Sequence, residues 1–168
     1  MPILSNLEDL LAELRERGGA RPGLLALDVS KRALGIAGAD QSWRLATPLT
    51  TIRRQRRAQD LERLQAIMRE RAAGVLVLGW PLNMDGSEGP RCQAVRAFAE
   101  HLDGALGLPI LLWDERLSTF AAEEAAERAG LRGKRRTEML DALAAAAVLQ
   151  DLLNALAQRR SPSSDPFI

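Results

Sequence analysis

The stretch LALDVSKRALGIAGAD, residues 25–40, contains the pattern that decides the fold. An apolar run ends at the carboxylate Asp28, turns polar and basic, and is followed by a second apolar run that contains glycines. A run that is apolar throughout is typical of a strand covered on both faces. We therefore predict a buried strand over 24–29 and a second strand that begins near Leu34. Asp28 then lies either in a surface turn or at the edge of an active site.

Strand and helix patterns alternate along the rest of the chain. Leu61, Leu64, Ile67 and Met68, for example, recur at the spacing of one helix face. Further strands are predicted over 44–52, 74–81 and 108–116, and helices over 56–73, 91–106, 118–129 and 137–158. Three strands followed by alternating helices and strands predict a meander joined to parallel strands in a layered α/β domain.

The two ends of the chain differ from this central pattern. Residues 5–17 have the leucine spacing of an amphipathic helix, with Ser5 or Asn6 as its cap. The segment GGARPG that follows is typical of a linker. We predict an N-terminal helical extension with its linker over 1–22, one domain over 23–158 and a disordered tail over 159–168.

Composition excludes several classes of protein. The chain has 168 residues and a net charge of +1, so no overall charge attracts it to nucleic acid. Cys92 and His101 are the single cysteine and histidine, which argues against a disulfide framework, a cysteine-rich zinc site and a Ser-His-Asp nucleophile. The chain shows neither a signal-peptide pattern nor a stretch of about 20 apolar residues. A cytoplasmic protein without membrane contact is expected.

Two local basic runs stand out against the balanced total charge. They are RRQRR over 53–57 and RGKRR over 132–136. Either run alone reads as a solvated helix face. Two runs that flank one candidate site favour contact with phosphate groups.

Acidic residues follow two of the buried strand patterns. Asp28 ends the first, and Asp114 and Glu115 end the strand 108–116; ligand sites in α/β sheets form beyond such strand ends. Because adjacent strand residues point to opposite faces, only one of Asp114 and Glu115 can face the site, and the other is expected to pair with a group such as Arg116. Asp141 lies on the apolar stripe of the last helix, where an unpaired carboxylate is costly. Its alternative role is that of a charge near a helix N-terminus.

Three carboxylates without a catalytic histidine or cysteine suit a hard cation. Mg²⁺ prefers carboxylate oxygens together with water and phosphate. The residues alone therefore predict metal-dependent phosphoryl chemistry and nothing more specific.

Three blocks of sequence resemble the YqgF/RuvX family, whose members are described as Holliday-junction-resolvase-like proteins and as pre-16S rRNA nucleases. The first block is the opening stretch, and the second is VLGWPLNMDGSEGPRCQAVRAFAEHL. The third is LPILLWDERLSTFAAEEAA, followed by KRRTEMLDALAAAAVLQDLL. Together they cover about residues 23–157 in the order of the family.

The resemblance implies a ribonuclease H-like α/β fold with a five-stranded mixed sheet flanked by helices. It implies a catalytic and metal-binding set of Asp28, Glu115 and Asp141 that holds Mg²⁺ or Mn²⁺, and it selects Glu115 over Asp114. The expected activity is an endonuclease that cuts precursor rRNA at its 5′ end, with the pre-ribosomal particle as a partner. A resolvase acting on branched DNA and a non-catalytic RNA-binding assembly factor are the alternatives, and the oligomeric state is left open.

Residues in the basic runs, the first strand turn and the NMDGSEGP loop are candidates for contact with nucleic acid. They are Lys31, Arg32, Arg53, Arg54, Arg56, Arg57, Asn83, Ser87, Arg116, Lys134, Arg135 and Arg136, with Asp85 and Glu88 as further loop candidates. The turn departs from the family, which usually has a glycine at the position of Ser30 and often a basic residue at Ala33. If Ser30 needed a backbone conformation that favours glycine, the turn at the site would be altered.

Overall fold

The computed structural model describes residues 3–159, which form one mixed sheet with helices on both faces. The strands are β1 (Ile3–Leu4), β2 (Gly23–Val29), β3 (Ala33–Ala39), β4 (Thr47–Arg53), β5 (Ala73–Trp80) and β6 (Ile110–Asp114). The helices are α1 (Leu7–Arg17), α2 (Arg57–Glu70), α3 (Pro90–Leu106), α4 (Ser118–Arg128) and α5 (Gly133–Gln158).

The strand order is β1-β6-β5-β2-β3-β4. The strands β2, β3 and β4 form the predicted antiparallel meander, and β5 and β6 add to β2 in parallel. The predicted mixed α/β sheet is confirmed, but the predicted count of five strands is wrong. The sixth strand, β1, lies in the N-terminal segment and pairs with β6, a pairing that two residues could not reveal as a sequence pattern.

Alternate residues of the central strands point to two separate cores. Leu24 and Ala26 of β2 pack with α1 and α5, whereas Leu25 and Leu27 pack on the opposite face with α2 and α3. This alternation follows from the two-residue period of a strand. Asp28 shares the parity of Leu24 and Ala26, so its side chain belongs to the α5 face.

The described part of the N-terminal segment packs onto the sheet. Asn6 caps α1, because its side-chain oxygen accepts a hydrogen bond from the Asp9 backbone N–H at 2.9 Å. The four leucines of α1 are buried in the same core as α5: Leu7, Leu10, Leu11 and Leu14. The domain boundary at residue 23 stays a prediction. The predicted tail lies outside the described residues except for Arg159, which caps α5.

Helix α5 begins at Gly133, four residues before the predicted start. Most of the basic run RGKRR therefore forms the first turn of this helix instead of a linker. By length and composition α5 is long and apolar enough to cross a membrane. In this fold, however, 44% of its most apolar 18-residue stretch is buried inside the protein. Its leucines and alanines pack against the sheet, which accounts for the apolar composition.

Candidate functional site

Asp28 lies at the carboxyl end of β2 and is half-buried. It pairs across the meander with Gly35 of β3. A β carbon at Gly35 would lie 2.0 Å from the carbonyl oxygen of Asp141. The absence of a side chain at Gly35 thus lets the α5 backbone press onto the sheet at Asp141, directly beside Asp28.

Glu115 follows the end of β6 and reaches back over β5. Its backbone N–H donates to the Trp80 carbonyl oxygen at 3.1 Å, and the residue is 9% exposed. A β carbon at Gly79 would lie 2.2 Å from Glu115 Oε2. The carboxyl group of Glu115 therefore occupies space that only glycine leaves free.

Asp114 turns away from the site, as the strand argument predicted for one of the two acids. Its carboxylate accepts hydrogen bonds from Arg116 Nε at 2.8 Å and from the Arg116 backbone N–H at 2.9 Å, and it forms an ion pair with Arg116 Nη2. Arg116, which the sequence predicts as a contact to nucleic acid, is therefore hydrogen-bonded and ion-paired to Asp114.

The three predicted acids, Asp28, Glu115 and Asp141, line one cleft of about 460 Å³, here called the carboxylate cleft. In residues 3–159, however, the His, Cys, Asp and Glu side chains do not form any group of three or more that could hold a metal ion as it stands. The convergence of three acids on one ion thus stays a prediction, while their common cleft is a property of the fold.

Burial is the main cause of the raised pKa values of the three carboxyl groups in this cleft. Desolvation and the Asp28 charge raise the pKa of Glu115 to about 8. Desolvation and the Asp141 charge raise the pKa of Asp28, and desolvation alone raises that of Asp141. A hydrogen bond between the carboxyl groups of Asp28 and Glu115 raises the pKa of Glu115 and lowers that of Asp28. The hydrogen bond between the two carboxyl groups therefore favours the proton on Glu115 over Asp28.

Arg91 is a site residue that the sequence reasoning missed. It lies in the first turn of α3, and its Nη2 is 3.8 Å from Glu115 Oε1. Its charge lowers the pKa values of both Glu115 and Asp28, and 67% of its side chain remains exposed. The signal that could have found it is its position directly after Gly89 and Pro90, where the NMDGSEGP loop ends and a helix must begin.

The carboxylate oxygens of the cleft are the type of ligand that a hard divalent cation prefers. Glu115 Oε2 is buried and, within the described residues, has no amide, guanidinium or hydroxyl donor. Oxygen ligands from one or two carboxylates, supplemented by water and phosphate, are the usual set for Mg²⁺. Asp28 and Glu115 offer such a pair, and Asp141 lines the same cleft.

The turn after β2 accommodates Ser30 without a left-handed backbone. Among residues 3–159, the residues other than glycine with positive φ are Trp43 and Ala72. The Ser30 backbone N–H donates to the Ala33 carbonyl at 3.0 Å, and Ser30 Oγ accepts from the Ala33 N–H at 3.1 Å. The departure from the family pattern therefore does not distort this turn.

The predicted basic contacts divide into two groups. Arg32 and Arg53 line a second cleft of about 650 Å³, here called the basic cleft, which shares Ser30 and Asp141 with the carboxylate cleft. Arg54 instead lies over the Phe98 ring and donates to the Ser30 carbonyl at 2.8 Å, which is a structural role.

The other basic residues lie farther along the surface. Lys134 and Arg136 form exposed ion pairs with Glu138 and Glu127, which cost little to break. Lys31, Arg56, Arg57 and Arg135 are exposed. Their contacts to nucleic acid stay predictions.

The NMDGSEGP loop is held largely by its own side chains. Asn83 Nδ2 donates to Ser87 Oγ at 3.0 Å, and Ser87 Oγ donates to Asp85 Oδ1 at 2.6 Å. Asn83 also lines the carboxylate cleft. Asn83 and Ser87 thus shape the loop beside the acids, and Glu88 lies in the same exposed loop.

The strand order and the acidic cleft define a protein of the ribonuclease H-like class. A solved structure of Thermus thermophilus RuvC matches with a TM-score of 0.51 and 14% identity, covering 81% of this chain and 96% of that chain. The model of the family "RuvX: Holliday junction resolvase" matches residues 23–155, and the chain belongs to this family.

Two relatives cover nearly the whole chain. A protein of Cereibacter sphaeroides named "Putative pre-16S rRNA nuclease" is 49% identical over 92% of this chain and 94% of its own length. A protein of the same name from Roseobacter denitrificans is 47% identical over 90% of this chain and 92% of its own length.

Proposed function

We propose that this protein is a divalent-metal-dependent endonuclease that cuts structured RNA, with the 5′ end of pre-16S rRNA in the cytoplasm as its substrate. The observation that carries the proposal is the common cleft of Asp28, Glu115 and Asp141. The names of the relatives support the choice of RNA.

The residues that would hold Mg²⁺ or Mn²⁺ are Asp28 and Glu115, with Asp141 in the same cleft. A bound divalent ion supplies Lewis acidity and positive charge at a phosphate. Glu115 must lose its proton before it can ligate, and the nearby Arg91 charge favours that loss. The exposed guanidinium of Arg91 is also placed to donate to a phosphate that enters the cleft.

The protein also offers a binding surface to the part of the RNA that lies beyond the cleavage position. The basic cleft continues from the carboxylate cleft past Ser30 and Asp141 to Arg32 and Arg53. Among the described residues, Glu138 and Asp141 are the acids that line this cleft. An RNA backbone that leaves the carboxylate cleft along it therefore meets the guanidinium groups of Arg32 and Arg53.

The test compares wild type with Asp28→Asn on an RNA that carries the 5′ extension of 16S rRNA, with Mg²⁺ or Mn²⁺. We expect the substitution to lower the cleavage rate by about a hundredfold or more, because it removes one charged ligand and keeps the side-chain shape. Mn²⁺ binding measured by calorimetry should weaken in parallel. Asp40→Asn, at an exposed acid beyond β3, is the control. Cleavage that survives in Asp28→Asn at the wild-type rate would contradict the proposal.

A Holliday junction resolvase is the second candidate, favoured by the description of the matching family. A four-way DNA junction assayed beside the RNA separates the two, because a resolvase makes symmetric cuts in the junction. An assembly factor without catalysis would bind the RNA and cut neither substrate.

A further inference from the structure

A cleft of about 410 Å³ adjoins the carboxylate cleft, beside the helices α4 and α5. Most of its wall is apolar, and it is here called the apolar cleft. The apolar lining residues are Met84, Leu117, Ala121, Ala147 and Val148. Concave, mostly apolar sites with a few polar groups at the rim are the usual form of a binding site for a small organic group.

The apolar cleft is continuous with the proposed site of cleavage. Glu115 and Arg116 line both clefts. A nucleotide with its phosphate among the carboxylates would therefore have the apolar cleft within reach of its own base, because one sugar joins the two groups. Ser118 and Asp151 add polar atoms that could meet the edge of a base.

The mouth of this cleft exposes large apolar side chains. Met84 and Leu117 are 69% and 65% exposed. Phe120 is 64% exposed and lies in the first turn of α4, three residues after Leu117. Of the four large apolar side chains that are exposed in residues 3–159, Met84 and Leu117 line this cleft. Clustered apolar exposure marks a surface that contacts a ligand or a partner.

We propose that the apolar cleft binds one unpaired nucleobase next to the scissile phosphate. This inference rests on the proposed nuclease function and names the class of substrate. A base inside a duplex cannot reach the cleft, so the substrate must be single-stranded at the cleavage position or must extrude that base from its stack. The exposed side chains of Met84 and Leu117, which line the cleft, then cover the base where it leaves its neighbours.

The first test fills the cleft. Ala147→Leu places a larger side chain in the lining, whereas Ala105→Leu, at an exposed alanine in the last turn of α3, is the matched control. Loss of the apolar contact of one buried base weakens binding by about tenfold or more. We expect Ala147→Leu to lower kcat/KM on RNA by that factor and Ala105→Leu to leave it unchanged.

The second test removes the base. An abasic site is moved one nucleotide at a time across the cleavage position of the RNA. At one position the abasic site should lower the wild-type kcat/KM by about tenfold or more, because the apolar contact of the base is lost. On that abasic RNA, Ala147→Leu should cause no further loss, because both changes remove the same contact. A loss that persists undiminished on the abasic RNA would mean that the variant damages the catalytic site, and it overturns the inference.

A binding measurement separates this inference from the proposed function. A short single-stranded RNA with one 2-aminopurine is added to Asp28→Asn protein in Mg²⁺. Fluorescence should rise when the base leaves its stack, and Ala147→Leu in the same background should abolish that rise. An unchanged rise in the filled variant overturns the inference even if wild type cuts RNA. If wild type cuts no RNA, the proposed function fails, and the fluorescence still decides whether the cleft takes a base.

Discussion

Replacing Gly79 by alanine is expected to disable the carboxylate cleft and leave the fold intact. The new β carbon would lie 2.2 Å from Glu115 Oε2 and 2.9 Å from Glu115 Cδ. These atoms form the end of a side chain, so the carboxyl group can swing away while the β5 backbone stays in place. Stability should therefore change little, whereas the position of the carboxylate must change.

The size of the effect follows from that contact. An ordinary contact begins at 3.4 Å, so Oε2 must move by about 1.2 Å, the difference between 3.4 and 2.2 Å. A misplacement of about 1 Å can cost about a hundredfold in rate. We expect kcat on RNA to fall by about that factor in Gly79→Ala and the Mn²⁺ affinity to fall with it.

The assay pairs cleavage kinetics with thermal unfolding. Gly104→Ala is the matched control, because a β carbon at this glycine of α3 has no neighbour within 4 Å. The control should keep its activity and gain about 0.5–1 kcal/mol of unfolding free energy from helix propensity. Gly79→Ala protein that is folded and cuts RNA at the wild-type rate would refute the placement of Glu115 over Gly79.

Three further predictions concern the fold and its protonation. Gly35→Ala should lower the melting temperature as well as the activity, since its β carbon would meet the Asp141 backbone at 2.0 Å and α5 would have to lift; unchanged melting contradicts this packing. In metal-free protein, the pKa of Glu115 is raised from 4.5 to about 8, so between these values the folded chain binds a proton that the unfolded chain lacks. The free energy of unfolding should then fall as pH rises through this window, by up to about 1.4 kcal/mol per pH unit, and denaturant titrations of Glu115→Gln should lack that slope. Leu10→Ala, at a fully buried position of α1, should cost about 2–5 kcal/mol of unfolding free energy in the same titrations, and a cost near zero would show that α1 is dispensable.

Much of this fold could be predicted from local patterns in the sequence. The strand β2 and its terminal acid were predictable because a doubly covered strand is apolar throughout and its last polar residue marks the sheet edge. The two-residue period of a strand predicted that one of Asp114 and Glu115 turns away from the site, and Asp114 does so and pairs with Arg116. Both depend on neighbours along the chain, which a single sequence displays.

Contacts between distant segments were not predictable in the same way. Gly35 and Gly79 read as strand glycines, and only the folded chain shows Asp141 and Glu115 against them. The approach of Arg91 to Glu115 depends on the angle at which α3 leaves its loop. The choice of Glu115 over Asp114 came from family resemblance, because the alternation of strand residues left both open.

The pairing of β1 with β6 has a consequence for biosynthesis. Ile3 pairs with Ile110, so β1 is synthesised more than a hundred residues before its partner strand β6. During that interval the leucines of α1 lack much of their final surface and are open to chaperones or to neighbouring nascent chains. Glu115 follows β6 directly, so the strand that supports this carboxyl group gains its outer neighbour only when β1 docks onto it.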